Sequence, residues 1–219
     1  SFALNKGQKI ALVGSTGSGK STILRLLTKS YVGYKGSIKL NGVELRDIDK
    51  SQLTEFYSLM QQEVYLFNES IEFNIALARS GIDMDRVIQA AKYVFADEFI
   101  QKLPGKYQFK ITENGANLSA GQGQLIAFAR AMATQSHLVL LDEATSSIDS
   151  VTEKMIQKAI EHVFKGKTLI AIAHRLSTIK GSDQILVLDR GQIIEKGCHE
   201  SLLILGGAYT QLVNAERHY

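Results

Sequence analysis

Two kinds of hydrophobic run divide this chain. KIALVG, HLVLLDE, TLIAIAH and QILVLD are short and continuously apolar, with no alternation, which is the pattern of parallel strands covered on both faces by helices. STILRLLTKS follows the first of them with helical spacing, so the opening reads strand, glycine-rich loop, helix. GSIKLNGVELRDI behaves differently: apolar and polar residues alternate about Asn41-Gly42, a two-residue hairpin signal that predicts a small antiparallel sheet. From about residue 70 to 136 the period turns helical, through IEFNIALA, DRVIQAAKYVFADEFIQKL and GQGQLIAFARAMATQ, with Pro104-Gly105 as the clearest break. A helix over EKMIQKAIEHVF separates two of the later strand runs. Alternating buried strands and helices predict an α/β fold built on a mostly parallel sheet. The expected layout is a core of residues 1–69 and 137–219 that includes the antiparallel part, with an inserted α-helical subdomain at 70–136.

Composition narrows the class. The chain has 219 residues, 45% of them hydrophobic, which is enough for a full core, and 25 basic against 22 acidic residues leave a net +3. That balance lacks the electrostatic footprint of a nucleic-acid binder. The single cysteine, Cys198, has no intramolecular partner, so a reducing compartment is the simpler expectation, with Cys198 a small buried or half-exposed side chain. No apolar run approaches the ~20 residues that span a bilayer, and no signal peptide opens the sequence.

The chemistry concentrates where strands end. Gly14-Ser15-Thr16-Gly17-Ser18-Gly19-Lys20-Ser21, running on into Thr22, matches the phosphate-binding P-loop and lies between a strand and a helix, as that pattern requires. Its glycines let consecutive backbone N–H groups form an anion nest, and the helix N-terminus adds its positive dipole end. Lys20 is placed to reach the β- and γ-phosphates, and Ser21 to ligate Mg²⁺. HLVLLDE ends in adjacent carboxylates, Asp142 and Glu143. Two acids at the end of a buried strand are costly unless they meet a cation or a positioned water. Asp142 is suited to the metal shell and Glu143 to the attacking water; the plainer alternative makes both of them caps for the following helix.

Leu118-Ser119-Ala120-Gly121-Gln122 resembles the signature sequence of ABC transporter ATPases, usually LSGGQ, and lies 20 residues before Asp142 as counted from Gln122. Alone, it is also ordinary helix-capping chemistry. The rest of the family pattern follows in order along essentially the whole chain. Gln62 resembles the Q-loop glutamine, Ser146 to Asp149 the D-loop, and His174 the H-loop histidine near the γ-phosphate.

The resemblance implies a RecA-like P-loop NTPase core that hydrolyses ATP with Mg²⁺. It implies a catalytic set of Lys20, Gln62, Glu143 and His174, a metal shell of Ser21, Gln62 and Asp142, and nucleotide contacts from Gly14 to Thr22, Gln62, Ser119, Gly121, Gln122 and Asp149. It further implies a head-to-tail homo- or heterodimer with a second nucleotide-binding domain, each ATP lying between the P-loop of one subunit and the signature of the other. A transmembrane domain is the remaining partner, and the cytoplasmic face of the membrane the expected location. LFNESIEFNI and EATSSIDSVTE are more similar to exporters than to importers. The rival readings are a soluble ABC ATPase of DNA repair or translation and a half-transporter with little turnover of its own.

Two features depart from the pattern. Ala120 stands where the family usually has glycine and Gly123 where a basic residue often follows, while the catalytic set is complete; this combination is similar to one half of a heterodimeric exporter. The aromatic A-loop strand that stacks on adenine in the family is expected upstream of residue 1, because only 13 residues precede Gly14; Phe2 is expected in the core, with stacking on adenine as its alternative role.

Overall fold

The computed structural model describes residues 1–61, 64–134, 136–142, 150–164, 167–173 and 176–216. They form two compact units, one of residues 1–57, 137–144 and 167–219 and the other of residues 58–136 and 145–166. Along the chain come β1 (Lys9–Val13), α1 (Lys20–Leu27), the hairpin β2 (Lys39–Leu40) and β3 (Val43–Glu44), α2 (Lys50–Phe56) and β4 (Tyr57–Met60). Then follow α3 (Ile71–Ala76), α4 (Met84–Tyr93), α5 (Asp97–Ile100), α6 (Ala120–Ala133), β5 (Leu138–Asp142) and α7 (Ser150–Phe164). The chain closes with β6 (Thr168–Ile172), α8 (Leu176–Lys180), β7 (Gln184–Asp189), β8 (Gln192–Gly197), α9 (His199–Leu205) and α10 (Ala208–Glu216).

In the first unit the strands lie in the order β5, β6, β1, β7, β8. The first four are parallel, and only β8 runs antiparallel to its neighbour β7. The continuous apolar runs now have their cause. Ile10 and Leu12 face one way, onto Leu140, Ile170, Leu186 and Leu24 of α1. Ala11 and Val13 face the other way, onto Ile185, Val187 and the C-terminal Leu202, Tyr209 and Val213. Both pleat directions are buried, so neither tolerates a polar residue.

Phe2 packs against the first of these clusters and lines an apolar groove of about 890 Å³ with Leu4, Ile23, Leu27 and Phe56. The Asn41-Gly42 turn has φ of 49° and 84°, the left-handed pair that a two-residue hairpin requires. Its strands are shorter than the alternating pattern suggests. The chain leaves β3 at once because buried Leu45 opens a 3₁₀ turn, while the Glu44 carboxylate accepts from Ser37 Oγ at 2.6 Å and Ile38 N at 3.1 Å and closes the loop. Cys198 is exposed, not buried or half-exposed; it stands at the N-cap of α9, between β8 and that helix.

The second unit is organised on α6, which packs against α3, α4 and α7. This helix is buried on most of its circumference by small and apolar residues, from Gly121 and Gly123 to Phe128 and Ala133. α3 and α4 start on side-chain caps, Ser70 Oγ accepting from Phe73 N and Asp83 Oδ1 from Arg86 N. At the far end of α7 the His162 ring stacks edge-on with Tyr93 and Phe95, and Tyr93 Oη donates to the His162 carbonyl at 2.7 Å. No helix among the described residues is long and apolar enough to cross a membrane.

Candidate functional site

β1 delivers the chain from the middle of the parallel sheet into Gly14. That residue has φ of 145°, and a Cβ on it would collide with the Leu188 carbonyl oxygen and lie 2.9 Å from Ser18 Oγ. Only glycine fits here, for two independent reasons. Gly19 at the other end has φ of 104° and lies under Gly191 of the β7–β8 turn, whose N–H donates to Ser18 O at 2.9 Å. The loop is thus gripped by a turn more than 150 residues further along the chain. The signal for it in the sequence is Arg190-Gly191, a pair of positive φ angles between two strands.

Lys20 is only 7% exposed. Its ammonium donates to the carbonyls of Gly14 at 2.6 Å and Ser15 at 2.8 Å and to Ser18 Oγ at 3.4 Å. Burial pushes its pKa below the ordinary lysine value, and the Asp142 carboxylate opposes that shift. The lysine of the loop and the acid at the end of β5 therefore act on each other, as a phosphate-and-metal site needs. Ser15, Thr16, Gly17, Ser21 and Thr22 are exposed beside them. α1 starts at Gly19 without a side-chain cap. Its first N–H groups, which lack intrahelical acceptors in any α-helix, are therefore suited to an anion.

In the second unit Ser119 is the N-cap of α6. Its hydroxyl oxygen accepts from Gln122 N at 3.2 Å, and Gln122 Oε1 accepts from Ser119 N at 3.0 Å, which makes a capping box. The plain capping chemistry is therefore present. It occupies an acceptor position on Ser119 Oγ and leaves the O–H proton to donate, so capping and phosphate binding are compatible. Ser119 and Ala120 are exposed, and Gly121 and Gly123 are buried. Gln62, Glu143, Asp149 and His174, together with the rest of the D-loop, lie outside the described residues. Glu143 directly follows the end of β5 in sequence, and His174 lies two residues beyond β6.

A parallel sheet with helices on both faces, carrying a glycine loop on its central strand and an acid at the end of a parallel strand two places away, defines a nucleotide-hydrolase core. The ABC transporter family model matches residues 1–146. The chain is 46% identical over 217 residues to the ATP-dependent lipid A-core flippase of Haemophilus influenzae, covering 99% of this chain and 37% of that protein. It is 45% identical over 216 residues to the putative ABC transporter ATP-binding protein exp8 of Streptococcus pneumoniae, with the same coverages of 99% and 37%. Among solved structures, a bacterial Atm1-family ABC exporter with ATP bound superposes with a TM-score of 0.89 at 38% identity, over 98% of this chain and 38% of that one.

The chain belongs to the ABC transporter family. It is the ATP-binding domain of that family, an ATPase on a P-loop NTPase fold, and it spans a little over a third of the length of the curated relatives it matches.

Proposed function

We propose that this domain powers export across a membrane by binding and hydrolysing ATP on the cytoplasmic face, coupled to a transmembrane domain. The ATPase part of the reading is carried by buried Lys20, clasped by its own loop with Asp142 nearby, and the export part by the likeness to an ATP-dependent flippase and an ABC exporter. Lys20 and the N–H groups of Gly14 to Thr22 bind the triphosphate and neutralise charge that grows in the transition state. The donors fit a magnesium ion, since an exposed hydroxyl and a carboxylate are hard oxygen ligands that leave room for phosphate and water. Mg²⁺ held by Ser21, Asp142 and Gln62 would supply Lewis-acid polarisation of the phosphate oxygens.

Glu143 orients a water and takes its proton, and His174 holds the γ-phosphate. As the water oxygen bonds to the γ-phosphorus, the bond to the β,γ-bridging oxygen breaks, and ADP and inorganic phosphate leave. The reading is tested by the complete coding sequence: a transporter must carry runs of ~20 apolar residues outside the present 219. A coding sequence with none, together with no membrane-spanning subunit that co-purifies, would overturn export and favour a soluble ABC ATPase.

Ser119, Gly121, Gln122 and Asp149 complete the ATP site of a second subunit in a head-to-tail dimer. Exposure of Ser119 and Ala120 at the start of α6 supports that role. The Ala120 methyl stands where that subunit's phosphates approach, so the site completed by this signature is the weaker of two, and the working partner is a non-identical subunit. The full-length protein is accordingly expected to hydrolyse ATP at its full rate only when co-purified with such a partner. Purification alone as a homodimer with two equivalent hydrolysing sites would refute the asymmetric assembly.

A further inference from the structure

Ser18, buried within the glycine loop, has both of its backbone groups engaged. Its N–H donates back to the Ser15 carbonyl at 3.1 Å, and its own carbonyl accepts from Gly191 N at 2.9 Å. A peptide bond is planar and trans, so the carbonyl of one residue and the N–H of the next point in opposite directions. Holding Ser18 O on Gly191 therefore aims the Gly19 N–H away from the β7–β8 turn. Among the described residues no acceptor takes that N–H. Gly19 itself packs against the same turn, since a Cβ on it would stand 3.4 Å from Gly191 Cα.

A brace must be stiffer than the loop it holds, and the two differ in that respect. Gly14, Gly17 and Gly19 leave the loop little stiffness of its own. The turn is a tight one, with Arg190 and Gly191 at φ of 47° and 78° and Asp189 and Gln192 paired on either side of them. β8 has a ladder on one side only among the described residues, and its second hold is Glu195. That carboxylate accepts from Ala208 N at 2.6 Å and Tyr209 N at 3.0 Å, a charge-assisted anchor on the start of α10. Tyr209 is wholly inaccessible to solvent, so the anchor point is fixed in the core.

We propose that Gly191 is a positioning residue for the nucleotide. Through the Ser18–Gly19 peptide its N–H presets the Gly19 N–H for a phosphate oxygen, so the β7–β8 turn sets the shape of the loop before ATP arrives. This rests on the reading that the loop N–H groups bind the triphosphate. It also determines which kinetic constant responds. A phosphate cradled by the loop is held in the ground state and the transition state alike, so loosening the brace weakens binding and leaves turnover in place.

The test compares Gly191→Ala, Gly191→Asn and Gly42→Ala in the full-length protein, by binding of a fluorescent ATP analogue and by steady-state hydrolysis. A methyl group at residue 191 would meet nothing within 4 Å, so alanine there acts only through the left-handed backbone of the turn. Gly42, with φ of 84° and equally open, belongs to the β2–β3 turn and controls for backbone strain. Gly191→Ala is expected to raise Kd and KM for ATP about tenfold with kcat within about twofold. Gly42→Ala should keep the parent values, and Gly191→Asn should recover most of the affinity, because asparagine tolerates the left-handed conformation and retains the N–H. Glycolic acid in place of Gly191, introduced by nonsense suppression, puts an ester oxygen where the N–H was and should reproduce the loss with no side chain added. Parent-like affinity in Gly191→Ala or in the ester, an equal loss in Gly42→Ala, or a fall in kcat with KM unchanged would overturn the positioning role. Parent-like ATP affinity in Lys20→Ala would instead remove the assignment of the loop to phosphate, and the inference with it. Should Gly191→Ala not fold, the ester is read by the same criteria.

Discussion

Glu143→Gln is expected to bind ATP as the parent does and to lose most of its turnover. The amide keeps the size and shape of the carboxylate but cannot accept the proton of the attacking water. Positioned acid–base groups contribute roughly 10²- to 10⁴-fold in rate, so a loss of that order or more follows. The phosphate grip should persist, because it resides in Gly14 to Thr22 and in Lys20, whose ammonium is held by the carbonyls of Gly14 and Ser15 and by Ser18 Oγ. Phosphate release and equilibrium binding of a fluorescent ATP analogue, measured on the full-length protein, separate the two quantities. Near-parent hydrolysis would show that another group handles the proton.

The second large effect is structural. Gly14→Ala should destabilise the first unit by about 3 kcal/mol or more and abolish nucleotide binding, because left-handed strain adds to overpacking against an unyielding backbone carbonyl. Leu188 cannot retreat, since it is buried in β7 and packed in the same cluster as Ile10 and Leu12. Gly17→Ala is the internal control. Gly17 has φ of 79°, and a methyl group there would meet nothing within 4 Å, so the same substitution should cost only about 1–2 kcal/mol, from backbone strain alone. Urea midpoints of the two variants give the comparison, and equal losses would show that the contact with Leu188 O is relieved at little expense.

These expectations were legible to different depths. The sheet could be read from runs such as HLVLLDE because burial on both faces removes every polar position, and the hairpin from Asn41-Gly42 because few other residue pairs adopt its two left-handed conformations. Short-range chemistry also shows in the letters: Ser119 and Gln122, three apart, are a capping box whether or not a phosphate is near. What periodicity cannot convey is the use of one distant residue by another. The hold of Gly191 on the P-loop joins residues far apart in sequence. Arg130 reads as one more charge on an amphipathic helix until its carbonyl acceptors are seen. Gly123 reads as a defect in a motif until Leu66 is found beside it.

The position of β1 sets how this nucleotide site breathes. It has a parallel partner on each side, β6 and β7, and Ile10, Ala11 and Leu12 are wholly inaccessible to solvent. Amides in such a strand exchange with deuterium only when the whole unit unfolds, whereas Ser15, Thr16 and Gly17, just beyond it, lie exposed and exchange through local fluctuation. Across the single bond between Val13 and Gly14 the timescale of opening should therefore change by orders of magnitude. Deuterium uptake at residues 15–17 becomes a report on bound nucleotide, with the adjoining strand as its built-in reference for global unfolding.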